Sequence, residues 1–230
     1  MTFITRLLPS FVWKILIAVL IIRALPSIKR YEIVSKNFKD VASKAATRGS
    51  GLAAVDALTA DLRRSLGKNI PRNLYWIPFS AGGLNLKLQV IYPGVMEYVA
   101  VFAAPTHTSG RSGFHWANSS CTVLSGEVTR FSDNLITISK ETYTNGQAFR
   151  HGEFESYIYD IAPDTYVTCY GRGVIPLSGV WPTIGSLANA DPVPIFKLVF
   201  VYAEAYYRYI VDGSLNLWNK NAPKQWHAEL

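Results

Sequence analysis

Clustered metal ligands are missing from this sequence. His107, His115, His151 and His227 stand far apart, and none has the neighbouring thiolates or carboxylates that a zinc or iron centre requires. No metal and no cofactor is expected. Cysteine is nearly absent: Cys121 and Cys169 are too few and too widely separated to suggest a disulfide framework, so both are expected to be reduced and packed. Charged residues make up only 17% of the chain, and the formal charge of +7 is scattered rather than gathered into a basic run. With no aromatic RNA-binding signature either, nucleic acid is excluded as a partner, and the basic balance suits anionic lipid instead. Internal repeats and low-complexity segments are absent as well. A 49% apolar, 13% aromatic composition over 230 residues excludes disorder and fits one folded domain with an anchor.

What is present falls into four stretches. Leu7 to Leu25 reads as a membrane helix, interrupted by Lys14 and closed by Arg23 and Pro26, which assigns residues 1–28 to an anchor; because its unbroken apolar part, Ile15 to Ile22, is short, a cleaved signal peptide and an interfacial helix are the alternatives. Residues 29–72 follow as a helical segment, with helices predicted over Arg30 to Thr47 and Gly51 to Leu66; the second spaces Leu52, Val55, Leu58 and Leu62 along one face. From Tyr75 the period changes to that of strands. Leu86 to Tyr92, Met96 to Ala103, Cys121 to Phe131, Leu135 to Ser139, Phe154 to Ile161 and Thr165 to Tyr170 are rich in β-branched and aromatic residues and are parted by Gly, Pro, Asn and Asp. Such spacing predicts a sandwich or barrel over residues 73–176. Residues 177–230 return to a helical period. In Pro194 to Asp212, Lys197, Glu204 and Arg208 form one narrow polar stripe, so that helix is expected to cap the barrel core or to face a membrane.

Four segments together carry a family resemblance. They are Ala81-Gly82-Gly83 leading to Met96-Glu97-Tyr98, then Ser112-Gly113-Phe114-His115-Trp116-Ala117, then Thr122-Val123-Leu124-Ser125-Gly126, and Tyr170-Gly171-Arg172-Gly173-Val174-Ile175-Pro176. His151-Gly152 followed by Glu155 precedes the last of them. In this order they resemble the sigma-1 receptor and fungal C-8 sterol isomerase family. The resemblance implies an α+β fold: a cupin-like β-barrel flanked by helices, with an N-terminal membrane helix and C-terminal amphipathic helices. It also implies a pocket for a sterol, lipid or hydrophobic amine, an endoplasmic reticulum membrane, and a homo-oligomer or subunit of a membrane complex.

By the same resemblance Glu155 is the acid that receives a ligand ammonium, and Tyr98 orients it. Strand parity adds Phe102 on the Tyr98 face and Tyr157 and Tyr159 on the Glu155 face, and Cys121 completes the candidate ligand-binding set. Glu97, on the opposite face from Tyr98, is expected to accept hydrogen bonds from loop amides, and Arg172 is expected to serve a turn or a subunit contact. The family's second acid belongs within Trp116 to Cys121, where this chain is neutral throughout. Moving a sterol double bond needs an acid and a base, so the functions to weigh are a binding protein, a structural subunit that has lost its chemistry, and a C-8 sterol isomerase.

Overall fold

The computed structural model describes residues 10–28, 31–132 and 138–221. Its helices are α1 (Ser10–Ile28), α2 (Ser35–Arg48), α3 (Leu52–Leu66), α4 (Ile175–Ser178), α5 (Val180–Ala188) and α6 (Val193–Asn221). The strands are β1 (Trp76–Ala81), β2 (Leu84–Pro93), β3 (Glu97–Ala104), β4 (Thr108–Arg111), β5 (Ala117–Ser125), β6 (Glu127–Ser132), β7 (Lys140–Thr144), β8 (Ala148–His151), β9 (Tyr157–Ile161) and β10 (Thr165–Gly173). They form two antiparallel sheets, one six-stranded in the order β1-β2-β3-β10-β5-β8 and one four-stranded in the order β4-β9-β6-β7.

Both faces of the larger sheet are buried. On its outer face α2 and α3 supply Phe38, Ala42, Ala45, Ala46, Val55, Leu58 and Leu62 against Val99, Val101, Leu124 and Tyr170. Alanines on α2 let the helix lie close to the strands, and full burial of a side chain such as Leu58 or Phe38 contributes about 2 kcal/mol. The inner face carries the other half of each strand's residues, Cys121 and Val123 on β5 and Val167 and Cys169 on β10, and meets Val128, Tyr159 and Ile161 of the smaller sheet. Gly126, with φ of 85°, turns the chain from one sheet to the other. A Cβ there would strike Thr165, so the single strand expected over Cys121 to Phe131 divides into β5 and β6.

Three expectations need correction. Cys121 and Cys169 are joined by a disulfide, because β5 and β10 set them directly opposite one another with Cα atoms 4.0 Å apart. Their separation along the chain concealed this. The strand expected from Phe154 begins only at Tyr157, since residues 152–155 form a turn, closed by the Glu155 N–H on the Gly152 carbonyl, in which Phe154 has φ of 62°. Arg172 lies on β10 rather than in a turn, and donates to the Ile33 carbonyl at 2.6 Å. Of the expected strand Leu135 to Ser139, residues 135–137 lie outside the described residues.

The helices at the two ends carry most of the exposed apolar surface. Ile15, Leu16, Ile17, Leu20 and Ile21 of α1 are exposed, as are Ile184 and Leu187 of α5 and Phe196, Val199, Phe200 and Ile210 of α6. The other side of α6 packs Leu198, Val201 and Tyr202 on Ile77, Leu88 and Val90, so this one helix both caps the barrel and presents an apolar face outward. Among the described residues no helix is long and apolar enough to cross a membrane. Arg23 of α1 pairs with Glu153 at 3.2 Å and lies over the Phe154 ring at 4.7 Å, which docks α1 on the β8–β9 turn.

The paired cysteines generate a direct test. Denatured without reductant, the chain should take up no iodoacetamide on Cys121 or Cys169, and after reduction it should take up one adduct on each, read by intact mass. Adducts on the unreduced chain would show the two thiols free.

Candidate functional site

Alternation along the strands sends every second residue of the larger sheet inward, and the strand register aligns those residues in rows. Tyr98 on β3 faces Gly171 on β10, which faces Ser119 on β5, which faces His151 on β8. This is a polar row. Two residues further along lie Ala100, Cys169, Cys121 and Phe149, with the disulfide at the centre. The row after that is apolar, with Leu88, Phe102, Val167 and Val123. Gly171 is required at its place, because a Cβ would run into the Tyr98 ring and Ser119.

These rows bound a cavity of about 720 Å³. That volume lies within the range of small-molecule sites, roughly 300–1,000 Å³. Phe79, Leu84, Leu86 and Phe102 line its apolar part, Val128, Tyr159 and Ile161 its far wall, and Trp181, Leu198 and Tyr202 of α5 and α6 cover it. Val180, Val199 and Ala203 line the cavity and are also exposed, so its mouth opens on the apolar face of the C-terminal helices. Among the described lining residues there is no Asp, Glu, Lys or Arg.

The expected ligand residues divide accordingly. Tyr98, Phe102 and Cys121 line the cavity, whereas Glu155 and Tyr157 are not among its lining residues. Glu155 is exposed in the turn before β9, where its carboxylate accepts the Gly152 N–H at 2.6 Å and the Tyr157 hydroxyl at 2.9 Å. Partial desolvation works to raise its pKa, but those two hydrogen bonds and the charge of Arg150 outweigh it and the pKa is lowered. Glu153 is held by Arg23. Within Trp116 to Cys121, the residues lining the cavity are Ala117, Ser119 and Cys121, and none can ionise as an acid while the disulfide stands.

Sequence reasoning missed the histidines. His115 and His151 are far apart along the chain, yet their rings meet at 5.0 Å because Ser119 pairs with His151 across β5 and β8. His151 lies 3.0 Å from the Glu155 carbonyl through Nε2 and 3.0 Å from the Tyr159 hydroxyl through Nδ1. A carbonyl can only accept, so Nε2 carries the proton and Tyr159 donates to Nδ1. Burial, then the neighbouring His115, push the His151 pKa down to about 4, and the imidazole is neutral. Tyr98 and Ser119 share one hydrogen bond at 3.0 Å, which engages the hydroxyl proton of one of them. Among the described residues no group of three His, Cys, Asp or Glu side chains is disposed to hold a metal.

On the opposite face Glu97 is completely buried. It accepts the Glu32 N–H at 3.0 Å and the Tyr170 hydroxyl at 2.9 Å, and Tyr170 also reaches the Ile33 carbonyl at 2.7 Å. Glu97 therefore ties the segment before α2 to β3 and β10.

Residues 10–214 match the family described as ERG2 and Sigma1 receptor like protein. Sigma non-opioid intracellular receptor 1 of Xenopus tropicalis is 27% identical over 205 residues, covering 84% of this chain and 92% of that protein. The Danio rerio protein of the same name is 31% identical over 125 residues, 54% of this chain and 55% of its own length. C-8 sterol isomerase erg2 of Aspergillus fumigatus is 29% identical over 127 residues, 54% of this chain and 52% of that one. The chain thus spans about half the length of the last two. Among solved structures, a Cupin_2 domain of an XRE family transcriptional regulator from Enterobacter cloacae aligns at 13% identity with a TM-score of 0.33, over 38% of this chain and 95% of that one.

The His151 geometry fixes the sign of a pH effect. Its pKa is about 4 when folded against an ordinary value of 6.5. Protonation therefore favours the unfolded chain, and the stabilisation present above pH 6.5 is lost as the pH falls towards 4. A shift of that size corresponds to roughly 3 kcal/mol. Denaturant midpoints should decline through this window, ahead of the carboxylate range, and His151→Gln should flatten the decline. An equal slope in the variant would assign the loss to other groups.

Proposed function

The chain belongs to the ERG2 and Sigma1 receptor like family, and we propose that it is a membrane-associated binding protein whose barrel cavity holds an uncharged apolar ligand, a sterol or lipid. One observation carries this reading: the cavity is large and apolar, and no ionisable carboxylate or base of the Asp, Glu, Lys or Arg type lines it among the described residues. A buried ammonium without a paired carboxylate is strongly unfavourable, which disfavours a cationic amphiphile in that space. Tyr98, Phe102 and Cys121 are ligand contacts in this proposal, and Glu155 is a turn residue.

The same lining bears on isomerisation. A double-bond shift requires one group to protonate a carbon and another to take a proton from its neighbour, within hydrogen-bonding reach of each. In the cavity His151 has both nitrogens engaged and Tyr98 pairs with Ser119, and although His115 and the Tyr206 hydroxyl line it as well, no carboxylate does among the described residues. We therefore rank binding above catalysis.

The exposed apolar residues of α1, α5 and α6 support a membrane surface as the setting, since contiguous patches of that kind mark interaction faces. The cavity mouth lies on this face, so a ligand would exchange with the bilayer directly. We place the protein at the endoplasmic reticulum membrane, as the family resemblance implies, with the barrel on the oxidising side where the Cys121–Cys169 bond persists. Assembly into a homo-oligomer is part of the same proposal.

Two experiments test the reading. Full-length protein purified in mild detergent should release neutral lipid or sterol on organic extraction, identified by mass spectrometry, and Glu155→Gln should release the same species in the same amount. Recovery of a cationic amphiphile that Glu155→Gln no longer retains would overturn it. For the membrane face, the chain should float with phospholipid vesicles, and replacing Ile184, Phe196 and Phe200 together by Asp should reduce flotation several-fold; unchanged flotation would shift the contact to other surfaces.

A further inference from the structure

The Cys121–Cys169 bond joins two strands that the sheet already holds together. β10 lies between β3 and β5, and β5 between β10 and β8, so neither is an edge strand and the backbone ladder sets the two cysteines opposite one another. The outer face of these strands is covered by α2 and α3. On the inner face Cys121 and Cys169, although only 4% and 6% exposed, both line the cavity. The way to the bond from outside is therefore the cavity mouth, where Val180, Val199 and Ala203 are exposed. Ala100 and Phe149 flank the bond along its row, and no Asp, Glu, Lys or Arg lines the space among the described residues. A disulfide on the wall of an open apolar cavity differs from one packed inside a closed core, because a small molecule can reach it without the chain unfolding.

We propose that the Cys121–Cys169 bond is a thiol–disulfide exchange site inside the cavity, which takes uncharged, apolar thiols through the mouth and excludes anionic ones. The wall sets this class. A carboxylate or sulfonate carried into the space would lose its hydration and meet no cationic side chain, whereas an uncharged thiol pays no such cost. The incoming sulfur bonds to the Sγ of one cysteine, the Sγ–Sγ bond breaks, and the proton of the incoming thiol goes to the departing cysteine sulfur, so no net charge enters. A second molecule of the thiol attacks the sulfur of the first, releases their symmetric disulfide and leaves its proton on the freed cysteine. Two thiols are thereby oxidised, by two electrons in all, and the protein disulfide is reduced to two thiols. The β5–β10 ladder is made by the backbone, so the reduced cysteines stay opposite one another and the reverse reaction restores the bond. The inference is independent of which ligand the cavity holds, and shares with the binding proposal only the open cavity.

The test compares mercaptoethanol, which is uncharged, with mercaptoethanesulfonate, an anion of similar reach, on the full chain in non-ionic detergent. Samples are quenched with N-ethylmaleimide, and adducts on Cys121 and Cys169 are read by intact mass. The same reagents on the urea-denatured chain give their intrinsic rate ratio. On the native chain the uncharged thiol should be favoured beyond that ratio by about tenfold or more, since burying an unpaired charge costs more than a factor of ten represents. Its rate should also rise in proportion to its concentration. Ala203→Trp and Val199→Trp, which fill the mouth, should each slow the native reaction several-fold and leave the denatured one unchanged; thermal melts establish that each is folded, and if one is not, the other carries this arm. A native ratio equal to the denatured one, or a native rate independent of reagent concentration, would mean that the bond is reached only by unfolding, and overturns the proposal. Absence of native reduction by either thiol overturns it too, as does an unchanged rate in a folded mouth variant.

Discussion

The register of β3, β10, β5 and β8 is the constraint on which the cavity depends. Side chains alternate with a period of two along a strand, so a slip of one residue between any two of these strands would exchange the inner and outer faces. Tyr98, Cys121 and Cys169 would then leave the cavity, and Glu97 and Tyr170 would enter it. Features on both faces oppose such a slip. On the inner face the Cys121–Cys169 bond joins opposite residues of β5 and β10, and Gly171 leaves room for the Tyr98 ring. On the outer face the buried Glu97 carboxyl group accepts from the Glu32 amide and the Tyr170 hydroxyl, which fixes a buried polar group at one height on β3.

Chemistry and packing are therefore segregated by strand face. The outer face is filled by α2 and α3 and by the Glu97 cluster, and contributes stability. The inner face is left underfilled, and a space of about 720 Å³ remains between the sheets and the C-terminal helices. Its three rows grade from polar through the disulfide to hydrocarbon, which gives an elongated ligand a preferred direction. Charged groups stand outside it: Arg23 with Glu153, and Glu155 with the Gly152 amide.

The apolar outer surface of the C-terminal helix follows from the same arrangement. α6 uses Leu198, Val201 and Tyr202 to close the barrel and leaves Phe196, Val199 and Phe200 exposed. A helix apolar on both sides was legible from its narrow polar stripe. Of the two readings weighed for it, barrel cap and membrane-facing flap, the packing on Ile77, Leu88 and Val90 bears out the first, and the exposed outer side is the ground on which the second is proposed.

From sequence alone the order of elements was readable: two packing helices, a run of short strands, then apolar helices, with Tyr98 and Phe102 on one strand face and Glu97 on the other. Local periodicity carries that information, and Gly126 and Gly171 mark places where only a missing side chain fits. What only the tertiary structure decided was who meets whom across strands. Cys121 with Cys169, Ser119 with His151 and His115 with His151 are pairings between distant segments, set by strand order and register rather than by any spacing along the chain. Glu155 shows the same limit from the other side. Two residues separate it from Tyr157, which on a continuous strand would give both the same face, but the positive φ of Phe154 and the hydrogen bond from the Gly152 amide place it in a turn and direct its carboxylate away from the cavity.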